Sequence, residues 1–188
     1  MVTEPGKGRT MKRLVTGLAV VGSMLTLLPA PMAGAASNTA TTLFPLDGGN
    51  QLETHMFLNC FKSDGHCDFV AGANTRAPDG GVIGFPPGLW ARQTTEIRSN
   101  NRMAYLDAHA NGQYERVMKS MGTDEITTVY FGEGPPDKYQ TTGRIDSTDW
   151  GTGQPKTDET VYTCTHIQVV YSGVNITSPS TCAVTTFS

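Results

Sequence analysis

The segment CFKSDGHC, Cys60 to Cys67, does more than any other stretch to limit what this chain can fold into. Taken as a hairpin whose loop is Lys62 to Gly65, it sets Phe61 opposite His66 and Cys60 opposite Cys67. Opposed Cβ atoms in an antiparallel pair lie about 4.5 to 5.5 Å apart, near enough for a disulfide. Strand alternation then puts Met56, Leu58, Cys60, Cys67, Phe69 and Ala71 on one face, the buried one. Asn59, Phe61, His66 and Asp68 fall on the other, so His66 and Asp68 point away from both sulfurs. The spacing matches neither the short Cys-Cys spacing of structural zinc sites nor the C-x-x-C of thioredoxin-like redox centres. The segment therefore reads as a staple, with no metal and no cofactor. Cys164 and Cys182, which flank a second expected hairpin, are read as the other local disulfide.

Disulfides presuppose an oxidising compartment, and the N-terminal region supplies the route to one. Residues 11 to 35, MKRLVTGLAVVGSMLTLLPAPMAGA, open on Lys12 and Arg13, continue as an apolar run from Leu14 to Leu28, and end in Ala33-Gly34-Ala35. That is the plan of a secretory signal peptide with cleavage near Ala36. A spanning helix needs about 20 predominantly apolar residues, and Pro29 and Pro31 interrupt the end of this run. Residues 1–35 are thus assigned to an N-terminal extension plus leader, and no membrane span is expected after cleavage. Residues 36–50 read as a flexible arm partly docked by Leu43, Phe44 and Leu46, and residues 51–188 as a single domain. Loss of residues 1–35 removes Lys7, Arg9, Lys12, Arg13 and Glu4 and moves the formal charge from −3 to −6. Such a surface repels phosphate backbones, so nucleic acid is excluded as an expected partner. The product is expected to be secreted and extracellular.

From Leu52 onward, short segments rich in Thr, Val, Ile, Tyr and Phe alternate with clusters of Gly, Pro, Asn and Asp. The strands expected are Thr54 to Phe61, Cys67 to Ala73, Trp90 to Arg98, Arg102 to Ala108, Glu125 to Phe131, Tyr139 to Asp146, Thr160 to Tyr171 and Thr181 to Phe187. Short strands in this number indicate an all-β fold, an antiparallel β-sandwich of immunoglobulin-like or similar type, with a barrel as second choice. One segment departs from the pattern. Tyr114, Val117, Met118 and Met121 recur at helical spacing between Asn111 and Gly122, which favours one short helix over a bent strand.

Nucleophile elbows, Walker loops, H-E-x-x-H and dinucleotide fingerprints are all missing from the sequence. Tyr105, Asp107 and His109 share one strand face, and an Asp beside a His is able to orient a general base. A hydrolase using Asp107 and His109, with Glu96 or His166 assisting, is therefore the alternative reading; the competing one is a solvated outer face. His166 and His55 read as hydrogen-bonded structural histidines. The loop VIGFPPGLWARQ gathers Phe85 and Trp90 beside Arg92, residue types that recognition surfaces favour and that also stack on sugar rings. Phe85, Trp90 and Arg92 are the binding residues expected, against a competing reading of the loop as a core plug. A second Pro-Pro loop, GEGPPDKY, would join it if the two share an end of the sandwich.

The segments MAGAAS, FLNCFKSDGHCDFVAGAN, FPPGLWARQTTEIRSNNRMAYLD and STCAVTTFS together resemble a family of small secreted actinobacterial proteins, mycobacterial or streptomycete-like, of unknown function. In architecture the chain also resembles the secreted immunoglobulin-like sandwiches of mycobacteria. The resemblance implies export and assigns no catalytic residue. The expected function is non-enzymatic binding of an extracellular protein or a glycan, at the cell envelope or beyond it.

Overall fold

The computed structural model describes Met1, residues 36–112 and residues 114–188. The leader and its cleavage region lie outside the described residues, Met1 excepted. Two antiparallel sheets pack together. The first has the order β1 (Ala36–Pro45), β2 (Gln51–Phe61), β3 (His66–Arg76), β9 (Gln140–Thr148), β6 (Tyr105–Ala110), with β4 (Val82–Ile83) paired to β3. The second runs β11 (Val174–Thr177), β10 (Thr160–Tyr171), β5 (Trp90–Ser99), β8 (Thr123–Phe131), β7 (Glu115–Ser120), and β12 (Thr181–Thr186) also pairs with β10. The fold is an all-β sandwich, as expected. All eight expected strands appear, as β2, β3, β5, β6, β8, β9, β10 and β12, with ends displaced by at most three residues.

Both staples form. Cys60 pairs with Cys67 and Cys164 with Cys182, each directly across an antiparallel ladder. Two expectations need correction. Ala36–Pro45, read as part of a flexible arm, is a ten-residue strand in continuous register with β2, from Ala36 opposite Cys60 to Pro45 opposite Gln51. Its residues are small and polar because it is an edge strand, not because it is unpaired. The helix expected between Asn111 and Gly122 is instead β7 and a turn: Glu115–Ser120 pairs with β8, and Gly122 closes the turn at φ +75°. Three of the four residues at helical spacing, Tyr114, Met118 and Met121, face solvent, so their periodicity carries no core signal.

The interior has two apolar regions. One holds Met56, Leu58, Cys60, Cys67, Phe69, Ile97, Ile126, Ile145 and Val161; the other holds Leu52, Phe85, Leu89, Ala91, Tyr130, Tyr139, Ile167 and Val169. Between them, strand after strand contributes a polar residue to the same level: Thr54 on β2, Gln93 and Thr95 on β5, Thr128 on β8, Thr141 on β9, Thr163 and Thr165 on β10, all buried. Buried hydroxyls persist when hydrogen-bonded. Thr54 bonds Thr181, Thr95 bonds Thr165, Thr141 bonds both Tyr130 and Thr128, and the Gln93 amide donates across the sandwich to Ala71 O at 3.2 Å. This belt ties the sheets at mid-height and separates the end bearing the buried staple from the end bearing the Pro-Pro loops.

Each lateral edge is fastened by one side chain reaching the backbone of the opposite sheet. Asn38 Nδ2 donates to Val184 O at 3.0 Å on the β1 side. On the β6 side, Ala108 N donates to the buried Asp124 carboxylate at 2.9 Å.

Candidate binding face at the loop end

The two Pro-Pro loops share one end of the sandwich and pack on each other. Gly84 passes so close to Gly134 that a Cβ on it would lie 1.8 Å from Gly134 O, so only glycine fits there. Gly132 N donates to Leu89 O at 2.8 Å, and Tyr139 OH donates to Gly132 O at 2.9 Å. Phe85 meets the Tyr139 ring edge-on, 4.8 Å between centroids. The consequence for the expected binding trio is a division. Phe85 is 3% exposed and serves as the core plug, which removes it from any contact surface. Trp90 is half-buried and Arg92 exposed, alternating with buried Ala91 and Gln93 and so facing outward from the second sheet.

Register extends that outward face into a row. Trp90 lies directly opposite Phe131 in the β5–β8 ladder, and the exposed Tyr114 ring meets Phe131 edge-on with centroids 5.6 Å apart. Tyr114 arrives there through the crossover from the first sheet to the second. Asn111 continues the β6–β9 pairing: its N–H donates to Thr142 O and its Oδ1 accepts from Thr142 N, each at 3.0 Å. Gly112 then crosses so near Thr128 that a Cβ would fall 2.7 Å from its side chain, and its N–H donates to Glu115 at 2.9 Å. Tyr114 itself is held at φ +55°. The left-handed region costs a non-glycine residue roughly 1–2 kcal/mol, and this side chain, 65% exposed, recovers little of that by burial.

Behind the Tyr114–Phe131 pair is a recess of about 480 Å³ lined by Asn111, Tyr114, Tyr130, Phe131, Lys138 and Gln140. At its base Tyr130 bonds Thr141 at 2.6 Å; burial pushes the Tyr130 phenol up to about 12, Thr141 opposes the rise and Glu115 adds to it. Lys138 donates to Phe131 O at 2.7 Å and to Glu133 O, and its ammonium stands 5.6 Å from the centre of the Tyr139 ring. Burial also raises the Tyr139 phenol, with Glu133 adding to the effect.

The alternative pair, Asp107 and His109, does share an outward face of β6, with His109 Nε2 3.3 Å from Asp107 Oδ2. Lys119 on β7 pairs with the other oxygen of Asp107, and the His109 side chain is 65% exposed. Beneath them, burial raises the carboxyl of Asp124, opposed by the Ala108 N–H, Lys119 and His109. Glu96 and His166 are outward on β5 and β10 of the second sheet, whereas Asp107 and His109 are outward on the first. The two pairs therefore face away from each other and do not combine into one site. His66 stacks on Phe61 at 4.7 Å between centroids and pairs with Asp64 at 2.7 Å, on the surface opposite the sulfurs of its hairpin. Among the described residues no group of three His, Cys, Asp or Glu side chains is placed to hold a metal ion.

No protein-family model and no curated protein sequence matches this chain. Tyr114 and Phe131 were not among the residues expected from sequence. A signal for Phe131 exists in the adjacent aromatics Tyr130-Phe131: consecutive strand residues point to opposite faces, so one of two neighbouring rings must be outside.

Proposed function

We propose that the protein is an exported, disulfide-stapled binding module that engages an extracellular protein or glycan through the outward row Tyr114, Phe131 and Trp90, with Arg92 alongside. The observation that carries this reading is Tyr114: a large aromatic side chain left exposed on a backbone conformation that disfavours it. The conformation sets the Tyr114 ring against Phe131 at the surface and buries little of it, which supports a residue kept for contact. Its neighbours in the row are aromatic, the residue class that concentrates binding energy at interfaces. The leader-like residues 11–35 and the two disulfides support export. No helix among the described residues is long and apolar enough to cross a membrane.

The test is a pull-down from culture medium and a glycan array, run with the secreted protein and with Tyr114→Ala, Phe131→Ala and Trp90→Ala. Specific retention that falls at least tenfold in Phe131→Ala and Tyr114→Ala, with circular dichroism unchanged, is the expected outcome. Retention indifferent to all three substitutions in folded protein would move the binding face elsewhere.

A further inference from the structure

We infer that the recess behind Tyr114 and Phe131 holds a sugar ring of an uncharged glycan. This inference rests on the binding-module reading and specifies its ligand. The lining is what an amphipathic ring requires. Two exposed aromatic rings, set at right angles, offer flat apolar surface to the C–H face of a sugar, and the remaining lining is polar. Polar capacity is left over for hydroxyl groups. Asn111 uses its Oδ1 on Thr142, which leaves its two amide N–H donors. Gln140 also lines the recess and makes no side-chain hydrogen bond among the described residues, which leaves its carboxamide free to bond a hydroxyl group. Lys138 commits two of its three N–H groups to Phe131 O and Glu133 O and keeps one.

Charge and shape narrow the class. The Glu115 carboxylate accepts from Gly112 N at 2.9 Å beside the recess, and the Lys138 ammonium is already turned to the carbonyls of Phe131 and Glu133. An acidic sugar would meet the Glu115 carboxylate while Lys138 has one N–H left to offer, so the neutral ring is the better match. A volume near 480 Å³ is within the range of small-ligand pockets. The lining contains no aliphatic side chain, whereas the cores of protein interfaces are apolar and desolvated.

The experiment is affinity electrophoresis of the secreted chain through gels containing dextran, mannan, galactan or arabinan, with polygalacturonate as the anionic probe. At least one neutral polymer is expected to retard the wild type, and polygalacturonate is not. Gln140→Ala should weaken retention about tenfold. Tyr114→Gly is the decisive variant. Glycine accepts φ +55° freely, so the melting temperature should be unchanged or raised by up to about 3 °C while retention is lost. A residue kept only for folding would give the opposite pair of results. Retardation by polygalacturonate alone, or retention by neutral polymers that survives Tyr114→Gly and Phe131→Ala, overturns the inference. If every neutral polymer fails and a photo-crosslinker in place of Trp90 captures a protein in a Phe131-dependent manner, the glycan is wrong and the binding-module reading stands. If both the polymers and the crosslinker fail, both fall.

Discussion

Two disulfides with the same pairing geometry occupy opposite sides of their sheets. Cys60–Cys67 and Cys164–Cys182 each join residues directly opposed in an antiparallel ladder, with Cα–Cα of 4.0 Å in both. Cys60 and Cys67 are fully buried among Leu58, Phe69 and Ile145, whereas Cys182 is exposed and Cys164 half-exposed on the outer face of the second sheet. Parity decides this: Cys60 keeps step with Met56 and Leu58, while Cys164 alternates with the buried Thr163 and Thr165. The inner bond is part of the core. The outer bond fastens β12, a six-residue strand whose only ladder partner among the described residues is β10. One covalent geometry thus has two physical roles, and the roles separate by burial.

The largest effect that separates them is expected beside each bond, not at the sulfurs. Phe69 packs with the inner staple and its ring lies over Gly143, where a Cβ would meet it at 2.4 Å. Phe69→Ala should cost about 3–5 kcal/mol by leaving a cavity. Tyr162, outward near the other staple, carries the guanidinium of Arg98 over its ring at 4.4 Å, and Tyr162→Ala should cost less than about 1 kcal/mol. Urea unfolding of both variants checks this, and equal losses would break the distinction between a core staple and a surface one.

Removing the bonds themselves sharpens the comparison, because two mechanisms rank them oppositely. Sequence separations of 7 and 18 residues give loop-closure contributions of about 2.4 and about 3.2 kcal/mol, favouring the outer bond. Burial reverses the order, since truncating two core side chains adds roughly 1–2 kcal/mol of lost packing. Cys60→Ala/Cys67→Ala should therefore lose about 4 kcal/mol and Cys164→Ala/Cys182→Ala about 3. A larger loss from the outer pair would mean that chain entropy outweighs packing here.

Accessibility makes the next, gentler separation. Under mild reduction of the folded protein, alkylation followed by mass spectrometry should find Cys164 and Cys182 modified first, with the far-ultraviolet dichroism unchanged, because a reductant reaches the exposed sulfur and not the buried pair. Modification of Cys60 and Cys67 at the same rate would show that the β2–β3 hairpin opens without global unfolding.

What the sequence disclosed follows from the range over which each signal acts. The β2–β3 hairpin was legible because its turn, its alternation and its cysteines all lie within one short segment, and each demands the same register. β1 was not, because Ser, Asn, Thr and Ala at an edge have the composition of a linker, and only pairing with β2 distinguishes the two. The hydroxyl belt was hidden for a related reason: threonine is a strand former on either face, so Thr163 and Thr165 inside look no different from Thr127 outside. At the candidate site, Trp90 and Arg92 were legible as surface residues of an aromatic loop, but Phe85 was not separable from them, since its burial depends on Tyr139 from a distant loop. The row itself depends on which strand neighbours β5. That pairing with β8 is set by the global fold, so Phe131 and Tyr114 gained meaning only from register.

The smallest expected effect lies at the hairpin tips. The inner hairpin ends in Asp64, whose carboxyl is held below its ordinary value of 3.8, chiefly by the Ser63 hydroxyl, then by His66 at 2.7 Å and Arg144 at 3.8 Å. The connection that closes the outer hairpin, SGVNITSPS, has no ionisable side chain. A carboxyl whose value is depressed by folding contributes stability that is present above 3.8 and is lost as pH falls through the lower, folded value. Acid should therefore loosen the tip of the inner hairpin more than that of the outer one, where the carboxylate acting on Tyr171 belongs to Asp47 on a separate segment. Hydrogen exchange at Ser63 to Gly65 from pH 5 downward is expected to lose protection in the wild type relative to the amides near Gly173, after correction for intrinsic rates. Asp64→Asn should show the weaker protection already at pH 5 and no further change. Because Asp64 is exposed, added salt should shrink the difference between wild type and variant, as it does for ion pairs in water. A difference that persists once acid has protonated the carboxyl would assign the effect to the shape of the turn and not to its charge, and the two tips would then differ for a reason other than electrostatics.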